Sequence, residues 1–252
     1  MKRLLIALML VLTACVQQEQ ISNSQMLEEG QYEVSFSDVN YFDGAKGFFA
    51  EPKTQGNYPG VIMIHEWWGL NDNIKDTAKL LASEGYIVLA VDLYDGKVAQ
   101  NQTEARQYTS SLNQTKAIEN MKAAKEYLRS KNAQKIASLG WCFGGGQSLQ
   151  FSLNDEVDAT VIYYGRLTDD KTQLSNIKWP VLGIFGEEDT GIPVASVNAF
   201  DAALDSLNIE NEIYIYPGVG HAFANPSGMN YAAEETKDAW DKTLAFLEKN
   251  LR

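Results

Sequence analysis

The chain has 252 residues, of which 45% are hydrophobic and 21% are charged, a composition typical of a globular protein rather than a disordered or coiled-coil one. Its net charge of −12 at pH 7 makes nucleic acid an unfavourable partner, because phosphate backbones and an acidic surface repel each other. Only two Cys and two His are present, so a structural zinc site with four such ligands would need all of them.

The first fifteen residues have the pattern of an export signal. Lys2 and Arg3 precede nine apolar residues, and the sequence Leu-Thr-Ala-Cys then ends at Cys15. Nine residues are too few to cross a bilayer, which takes about 20, but this arrangement is typical of a secretory signal. The last four residues resemble a bacterial lipobox, which implies cleavage before Cys15 and its lipidation. The alternative is a plain signal peptide cut near Ala14.

A polar stretch follows, from residue 16 to about residue 29, and predicts a flexible tether. We therefore expect a signal peptide at 1–14, a lipidated cysteine and tether at 15–29, and a single domain at 30–252. The mature protein would be anchored in a bacterial cell envelope with its domain outside the cytoplasm. Loss of residues 1–14 would leave 19 basic and 33 acidic residues, a net charge of −14, and Cys142 as the only free thiol.

Strands and helices alternate along the rest of the chain. Short continuous apolar runs such as 60–64 are typical of strands buried on both faces, and the first two strands predict a hairpin around Asn40-Tyr41. The predicted strands are 31–39, 42–50, 60–64, 86–91, 135–139, 159–163, 181–185 and 212–215. The predicted helices are 73–84, 103–112, 116–129, 143–153, 194–207 and a last helix with Trp240, Leu244, Leu247 and Leu251 on one face. This alternation indicates an α/β fold with a mainly parallel sheet and helices on both faces.

A cysteine stands at the sharpest predicted turn. Gly140-Trp141-Cys142-Phe143-Gly144 follows a strand and opens a helix, which fits the pattern G-x-nucleophile-x-G with Cys in place of Ser. Glycine is needed on either side because a side chain there would collide with the strand or the helix. The first N–H groups of the helix and its dipole can stabilise a thiolate and a later oxyanion. The alternative is a glycine-rich turn with a small buried cysteine.

A base and an acid follow in the chain. His221 comes after the last predicted strand, and Asp189 ends the strand before it, so the order is nucleophile, acid, base. Such a carboxylate would hold one imidazole tautomer and stabilise the imidazolium. Glu187 and Glu188 are expected to face solvent. His221 could instead be a packed loop histidine, and His65, at the end of the strand 60–64, is the other histidine.

Six segments together resemble the dienelactone hydrolase family of α/β-hydrolases, over about residues 31–252. They are His65-Glu66-Trp67-Trp68-Gly69, Ala90–Tyr94, Gly140–Gly146, Tyr163-Tyr164-Gly165, Gly186–Asp189 and Gly220-His221-Ala222-Phe223. The likeness is specific because a cysteine elbow is unusual among α/β-hydrolases.

The resemblance implies Cys142 as nucleophile, His221 as base and Asp189 as the partner of His221. It implies that Glu66 is a regulatory glutamate, which interacts with the resting thiol and helps to activate it when substrate arrives. It further implies that the backbone N–H groups of Trp67 and Phe143 form the oxyanion hole, and it implies no cofactor and no metal.

The candidate substrate contacts differ from the family pattern at one position. Dienelactone-specific family members grip the substrate carboxylate with arginines, one of them shortly after the catalytic His, but residues 222–226 contain no Arg. Arg106 either corresponds to the other family arginine or is an exposed helix residue. The aromatic residues Trp67, Trp68, Tyr94 and Phe223 either line a substrate pocket or belong to the core.

The sequence is compatible with three functions. We expect a thiol hydrolase that attacks a small-molecule ester or lactone and passes through a thioester at Cys142. The alternatives are a binding lipoprotein without turnover and a thiol redox protein, which would lack a resolving cysteine. We expect a monomer.

Overall fold

The computed structural model describes residues 30–252. The predicted signal peptide, Cys15 and the tether lie outside this part of the chain. The strands are β1 Val34–Phe42, β2 Ala45–Pro52, β3 Gly60–Ile64, β4 Ile87–Val91, β5 Ile136–Trp141, β6 Ala159–Tyr163, β7 Val181–Gly186 and β8 Asn211–Tyr216. The helices are α1 Asp72–Ser83, α2 Gln102–Ser110, α3 Gln114–Ser130, α4 Phe143–Asn154, α5 Lys171–Leu174, α6 Val194–Ser206 and α7 Ala233–Leu251.

The strands form one eight-stranded sheet in the order β1-β2-β4-β3-β5-β6-β7-β8. The pairs β1–β2 and β2–β4 are antiparallel, and every pair from β4 to β8 is parallel. This arrangement confirms the predicted, mainly parallel sheet.

Helices cover both faces of the sheet. Successive side chains of each strand point to opposite faces, so the sheet has a hydrophobic core on each side. Val61 and Met63 pack in the core beneath α1 and α7, which contains Trp240. Ile62 and Ile64 point the other way, into the core beneath α3, α4 and α6. The C-terminal helix packs with its predicted face against the sheet. Among the described residues, no helix is both long enough and apolar enough to span a membrane.

The turn of the first hairpin lies three residues later than predicted. Asn40 pairs with Lys46 inside the β1–β2 ladder, and the turn is formed by Asp43 and Gly44, where Gly44 has φ +78°. The prediction of a turn at Asn40-Tyr41 is therefore wrong. Asp-Gly is a stronger hairpin signal than Asn-Tyr, because glycine adopts positive φ without strain.

The parallel strands end at a common edge of the sheet. Ile64 at the end of β3 stands beside Gly140, Trp141 at the end of β5 beside Tyr163, and Gly186 at the end of β7 beside Tyr216. The loops that leave these strands therefore meet at one place, and they carry the residues of the predicted site.

Candidate active site

Cys142 occupies a strained turn between β5 and α4. It has φ +53° and ψ −116° and stands at the N-terminus of α4. A non-glycine residue in such a conformation costs energy and persists only where its surroundings hold it. Here its N–H donates to the Tyr163 carbonyl at 3.0 Å, and its carbonyl accepts from the Gly146 N–H at 3.1 Å. The turn leaves the thiol half-buried at the helix N-terminus.

The glycines on either side make this turn sterically possible. A Cβ on Gly140 would lie 2.2 Å from the Gly144 carbonyl oxygen, and a Cβ on Gly144 would lie 2.3 Å from the Ile64 carbonyl oxygen. Both distances are far below van der Waals contact with backbone atoms. The spacing of the two glycines around Cys142 thus reflects how closely β3, β5 and α4 approach one another.

The three predicted side chains lie in a hydrogen-bonded row. His221 Nε2 is 3.1 Å from Cys142 Sγ, and His221 Nδ1 is 2.7 Å from Asp189 Oδ2. The other carboxylate oxygen of Asp189 accepts the N–H groups of Gly191 and Ile192 at 2.8 and 3.0 Å. The buried carboxylate is therefore fixed by its own loop, and it orients the imidazole toward the sulfur.

The electrostatics of this row favour a charged pair. Burial alone would lower the pKa of His221, but the hydrogen bonds to Asp189 and to Cys142 outweigh it and raise this pKa to about 10. Burial would likewise raise the pKa of Asp189, and the hydrogen bonds from His221 and from the Ile192 N–H lower it. The arrangement thus stabilises an imidazolium beside the Asp189 carboxylate, with its Nε2 directed at the Cys142 sulfur.

The second histidine is structural. His65 is fully buried, its Nδ1 lies 2.6 Å from the Glu66 carbonyl, and its Nε2 lies 3.2 Å from the Leu93 N–H. Burial lowers its pKa. Both ring nitrogens face backbone groups, so His65 ties the loop after β3 to the loop after β4.

Glu66 lies next to this row and binds an unexpected partner. Its carboxyl accepts a hydrogen bond from Asn225 Nδ2, and 4% of the residue is exposed. Burial raises the pKa of Glu66 to about 7, although the charge of His221 and the bond from Asn225 act in the opposite direction. The resemblance implied a contact with the resting thiol. In the structure the Glu66 carboxyl is hydrogen-bonded to Asn225, while the Cys142 sulfur faces His221.

The two predicted oxyanion donors lie at the same edge. Phe143 is the first residue of α4, so its N–H belongs to the turn that has no intrahelical partners. Trp67 lies in the turn that the Gly69 N–H closes on the Glu66 carbonyl at 3.2 Å. Trp67 directly follows Glu66 in the chain, and Phe143 directly follows Cys142.

The predicted substrate contacts are found in different settings. Phe223 is fully buried and packs on the rings of Tyr164 and Tyr216, which is a core position. Tyr94 is buried. Trp67 and Trp68 are half-buried and pack edge to face, with ring centroids 5.1 Å apart. Arg106 is exposed on α2.

A cavity that the sequence did not predict lies behind Glu66. Its volume is about 410 Å³, within the range of small-molecule sites. Side chains from β1, α1 and α7 form its outer part, and Glu66, Tyr164 and Asn225 line it near the active site. Neither Cys142 nor His221 is among its lining residues. Its lining residues come from distant parts of the sequence, so no local sequence pattern predicts this cavity.

The structure offers no arrangement for a metal within residues 30–252, where no three His, Cys, Asp or Glu side chains are grouped to hold an ion.

Comparison with known proteins identifies what the chain is similar to. The model of the dienelactone hydrolase family matches residues 45–251. A proposed carboxymethylenebutenolidase of Saccharolobus solfataricus is 34% identical, and the match covers 82% of this chain and 95% of the relative. Protein usf of Aquifex pyrophilus is 33% identical, over 82% of this chain and 94% of the relative.

Solved structures share the fold. A proposed dienelactone hydrolase of Klebsiella pneumoniae superposes with a TM-score of 0.80 at 24% identity, over 86% of this chain and 99% of that one. The dienelactone hydrolase-like promiscuous phosphotriesterase P91, from metagenomic libraries, superposes with a TM-score of 0.77 at 23% identity, over 87% and 99% of the two chains. The predicted α/β-hydrolase fold is thereby confirmed.

Proposed function

The chain belongs to the dienelactone hydrolase family, and on that premise we propose that it hydrolyses small-molecule esters or lactones with Cys142 as its nucleophile. The family makes it a hydrolase, and the names of its relatives point to ester or lactone substrates. The observation that carries the cysteine mechanism is the row of two hydrogen bonds that joins Sγ through His221 to Asp189.

The chemistry follows from this row. The thiolate of Cys142 attacks the carbonyl carbon, and the N–H groups of Phe143 and Trp67 stabilise the resulting oxyanion. The intermediate collapses to a thioester, and the alcohol leaves with the proton held on His221 Nε2. His221 then deprotonates a water molecule, which attacks the thioester. The C–S bond then breaks, the carboxylic acid is released, and Cys142 and His221 return to their starting protonation. Asp189 keeps the ring oriented in both steps.

The test compares purified wild type with Cys142→Ala on short-chain aryl esters and on lactones. We expect turnover to fall by about 10³-fold or more, because the variant has no nucleophile for a thioester. Asp241→Asn, an exposed substitution on α7, serves as the matched control and should retain wild-type turnover. Undiminished hydrolysis in Cys142→Ala would reject the cysteine mechanism. No Cys142-dependent hydrolysis across a broad panel would favour a binding lipoprotein.

We also propose that the protein is tethered to a bacterial envelope membrane through Cys15, with its hydrolase domain outside the cytoplasm. The support is the sequence alone: two basic residues, nine apolar residues and the Leu-Thr-Ala-Cys end. Cells grown with a clickable fatty acid should label wild type and Cys142→Ala but not Cys15→Ser. Equal labelling of wild type and Cys15→Ser would overturn the lipoprotein assignment.

A further inference from the structure

The cavity behind Glu66 lies apart from the reacting atoms, since neither the nucleophile nor the base lines it. Its volume of about 410 Å³ is sufficient for a small organic molecule. The buried part of its lining is largely aromatic and includes the rings of Trp141, Tyr163, Tyr164 and Trp240. Such a lining favours a ligand with an apolar body, because binding removes that body from water.

Two of these aromatic side chains carry polar atoms that the protein leaves without a hydrogen bond. The indole Nε1 of Trp240 and the hydroxyl of Tyr164 are buried, and neither has a partner within residues 30–252. The buried indole of Trp179, elsewhere in the fold, shows the usual situation, because its Nε1 donates to Thr160 Oγ1 at 2.8 Å. A buried donor without an acceptor costs free energy, so a molecule that supplies an acceptor in this cavity gains from it.

The charged side chains around the cavity favour a neutral ligand. Lys79 is the only cation among the described lining residues, and its Nζ lies 2.8 Å from a carboxylate oxygen of Asp76. Glu33 and Glu66 add two further carboxyl groups to the lining. An anionic ligand would therefore meet carboxyl groups without a free cation. An ammonium ligand would direct its own donors at the Trp240 N–H, which can only donate.

We propose that this cavity is a second small-molecule site, which binds a neutral, largely apolar compound whose carbonyl, ether or hydroxyl oxygen accepts a hydrogen bond from the Trp240 indole N–H. The aromatic rings cover the apolar body of the ligand, and its oxygen supplies the acceptor that the fold itself does not provide. The Tyr164 hydroxyl offers a second donor to a ligand with a second oxygen. The site is additional to the one in which Cys142 reacts, so the inference goes beyond the proposed hydrolysis and does not depend on it.

The test uses prodan, a neutral naphthyl ketone that contains no ester bond and whose fluorescence responds to its surroundings. Titration into the full-length protein should give a saturable blue shift of its emission. Trp240→Phe keeps an aromatic ring but removes the N–H, and should raise Kd about fivefold. Trp179→Phe is the matched control, because it removes an indole N–H that already has its partner, and should leave Kd unchanged. Thr77→Trp places a large ring in the cavity from α1 and should raise Kd about tenfold or more, which tests the site even if Trp240→Phe folds poorly.

Two further titrations test the location of the probe and the class of ligand. Protein whose Cys142 has been alkylated with iodoacetamide should bind prodan with the wild-type Kd, because the sulfur does not line the cavity. The anionic dye anilinonaphthalene sulfonate should bind about tenfold more weakly than prodan. The inference is overturned if prodan shows no saturable binding, as expected of a cavity that holds only water, or if alkylation abolishes its binding. Equal Kd values for wild type, Trp240→Phe and Thr77→Trp, or tighter binding of the anionic dye, would overturn it as well.

Discussion

The hydrogen bond between His221 and Asp189 links the stability of the fold to pH. Asp189 and Cys142 outweigh burial and raise the pKa of His221 to about 10, from an ordinary value near 6.5. The folded protein thus binds this proton more tightly than the unfolded chain. The stabilisation is complete below about pH 6.5 and is lost as pH rises toward 10. Asp189, whose pKa is lowered, loses its contribution in the other direction, as pH falls below about 4.

We therefore predict a pH-dependent cost for Asp189→Asn. The difference in unfolding free energy from wild type should be greatest between about pH 5 and pH 6.5 and should shrink toward pH 10. Urea denaturation across this range measures it. Asp241→Asn, which removes an exposed partner of Lys237, should give a small difference at every pH. A cost of Asp189→Asn that does not vary with pH would contradict the prediction.

At the scale of single residues, the sequence predicted which side chains would meet but not all of their contacts. Cys142, Asp189 and His221 follow three strands, and the carboxyl ends of parallel strands lie at one edge, so their proximity can be inferred from order alone. The hydrogen bond between Glu66 and Asn225 cannot be inferred from the sequence, because it depends on the path of the loop after His221. The turn-forming sequence Asn225-Pro226-Ser227-Gly228 indicates a turn there, but not which residue the amide faces.

At the scale of elements, the turn between β5 and α4 determines whether the nucleophile can be presented at all. A methyl group on Gly144 would meet the Ile64 carbonyl oxygen at 2.3 Å, and Ile64 is held in the sheet by the parallel pairing of β3 with β5. The equivalent methyl group on Gly146, two residues further along α4, would lie 3.3 Å from the Arg166 backbone nitrogen. The two positions share a helix and differ in their free space.

This difference gives a matched pair of variants. Gly144→Ala should destabilise the protein by about 3 kcal/mol or more, because the overlap is with backbone rather than with a flexible side chain. Gly146→Ala should change stability by about 1 kcal/mol or less, since a small steric cost opposes the helix propensity of alanine. Thermal unfolding of both variants measures this. Equal stabilities would show that the elbow is more adaptable than its geometry indicates.

Element boundaries show what sequence periodicity leaves out. The predicted helices at 103 and 116 begin one and two residues after the observed starts of α2 and α3, each of which is capped by an asparagine side chain, Asn101 and Asn113. Apolar spacing identifies the packed face of a helix, whereas the first turn is determined by its cap. The four-residue α5 was not predicted, because one turn is too short to show a period.

At the scale of the whole molecule, charge limits the substrates that can approach. The chain carries a net charge of −12, and that field disfavours anionic substrates over a distance of about 8 Å at physiological salt. Near the base, residues 222–226 offer no cation, and the Asn225 amide is already engaged by Glu66. A carboxylate-bearing substrate would therefore meet repulsion at long range and a buried carboxyl at short range.

We predict that neutral esters or lactones are hydrolysed at least as well as matched substrates that carry a carboxylate. A charge-assisted hydrogen bond to a substrate carboxylate is worth roughly 1.5–3 kcal/mol, or tenfold and more in kcat/KM, and this site shows no arginine after the base to supply it. Added salt should raise kcat/KM for the carboxylate substrate relative to the neutral one, because it screens the acidic surface. The decisive measurement compares both substrates in wild type, Arg106→Ala and Arg166→Ala, since Arg166 lies beside the first turns of α4. A strong preference for the carboxylate that disappears in either variant would show that this arginine grips the substrate, and that the acidic surface does not decide which esters reach Cys142.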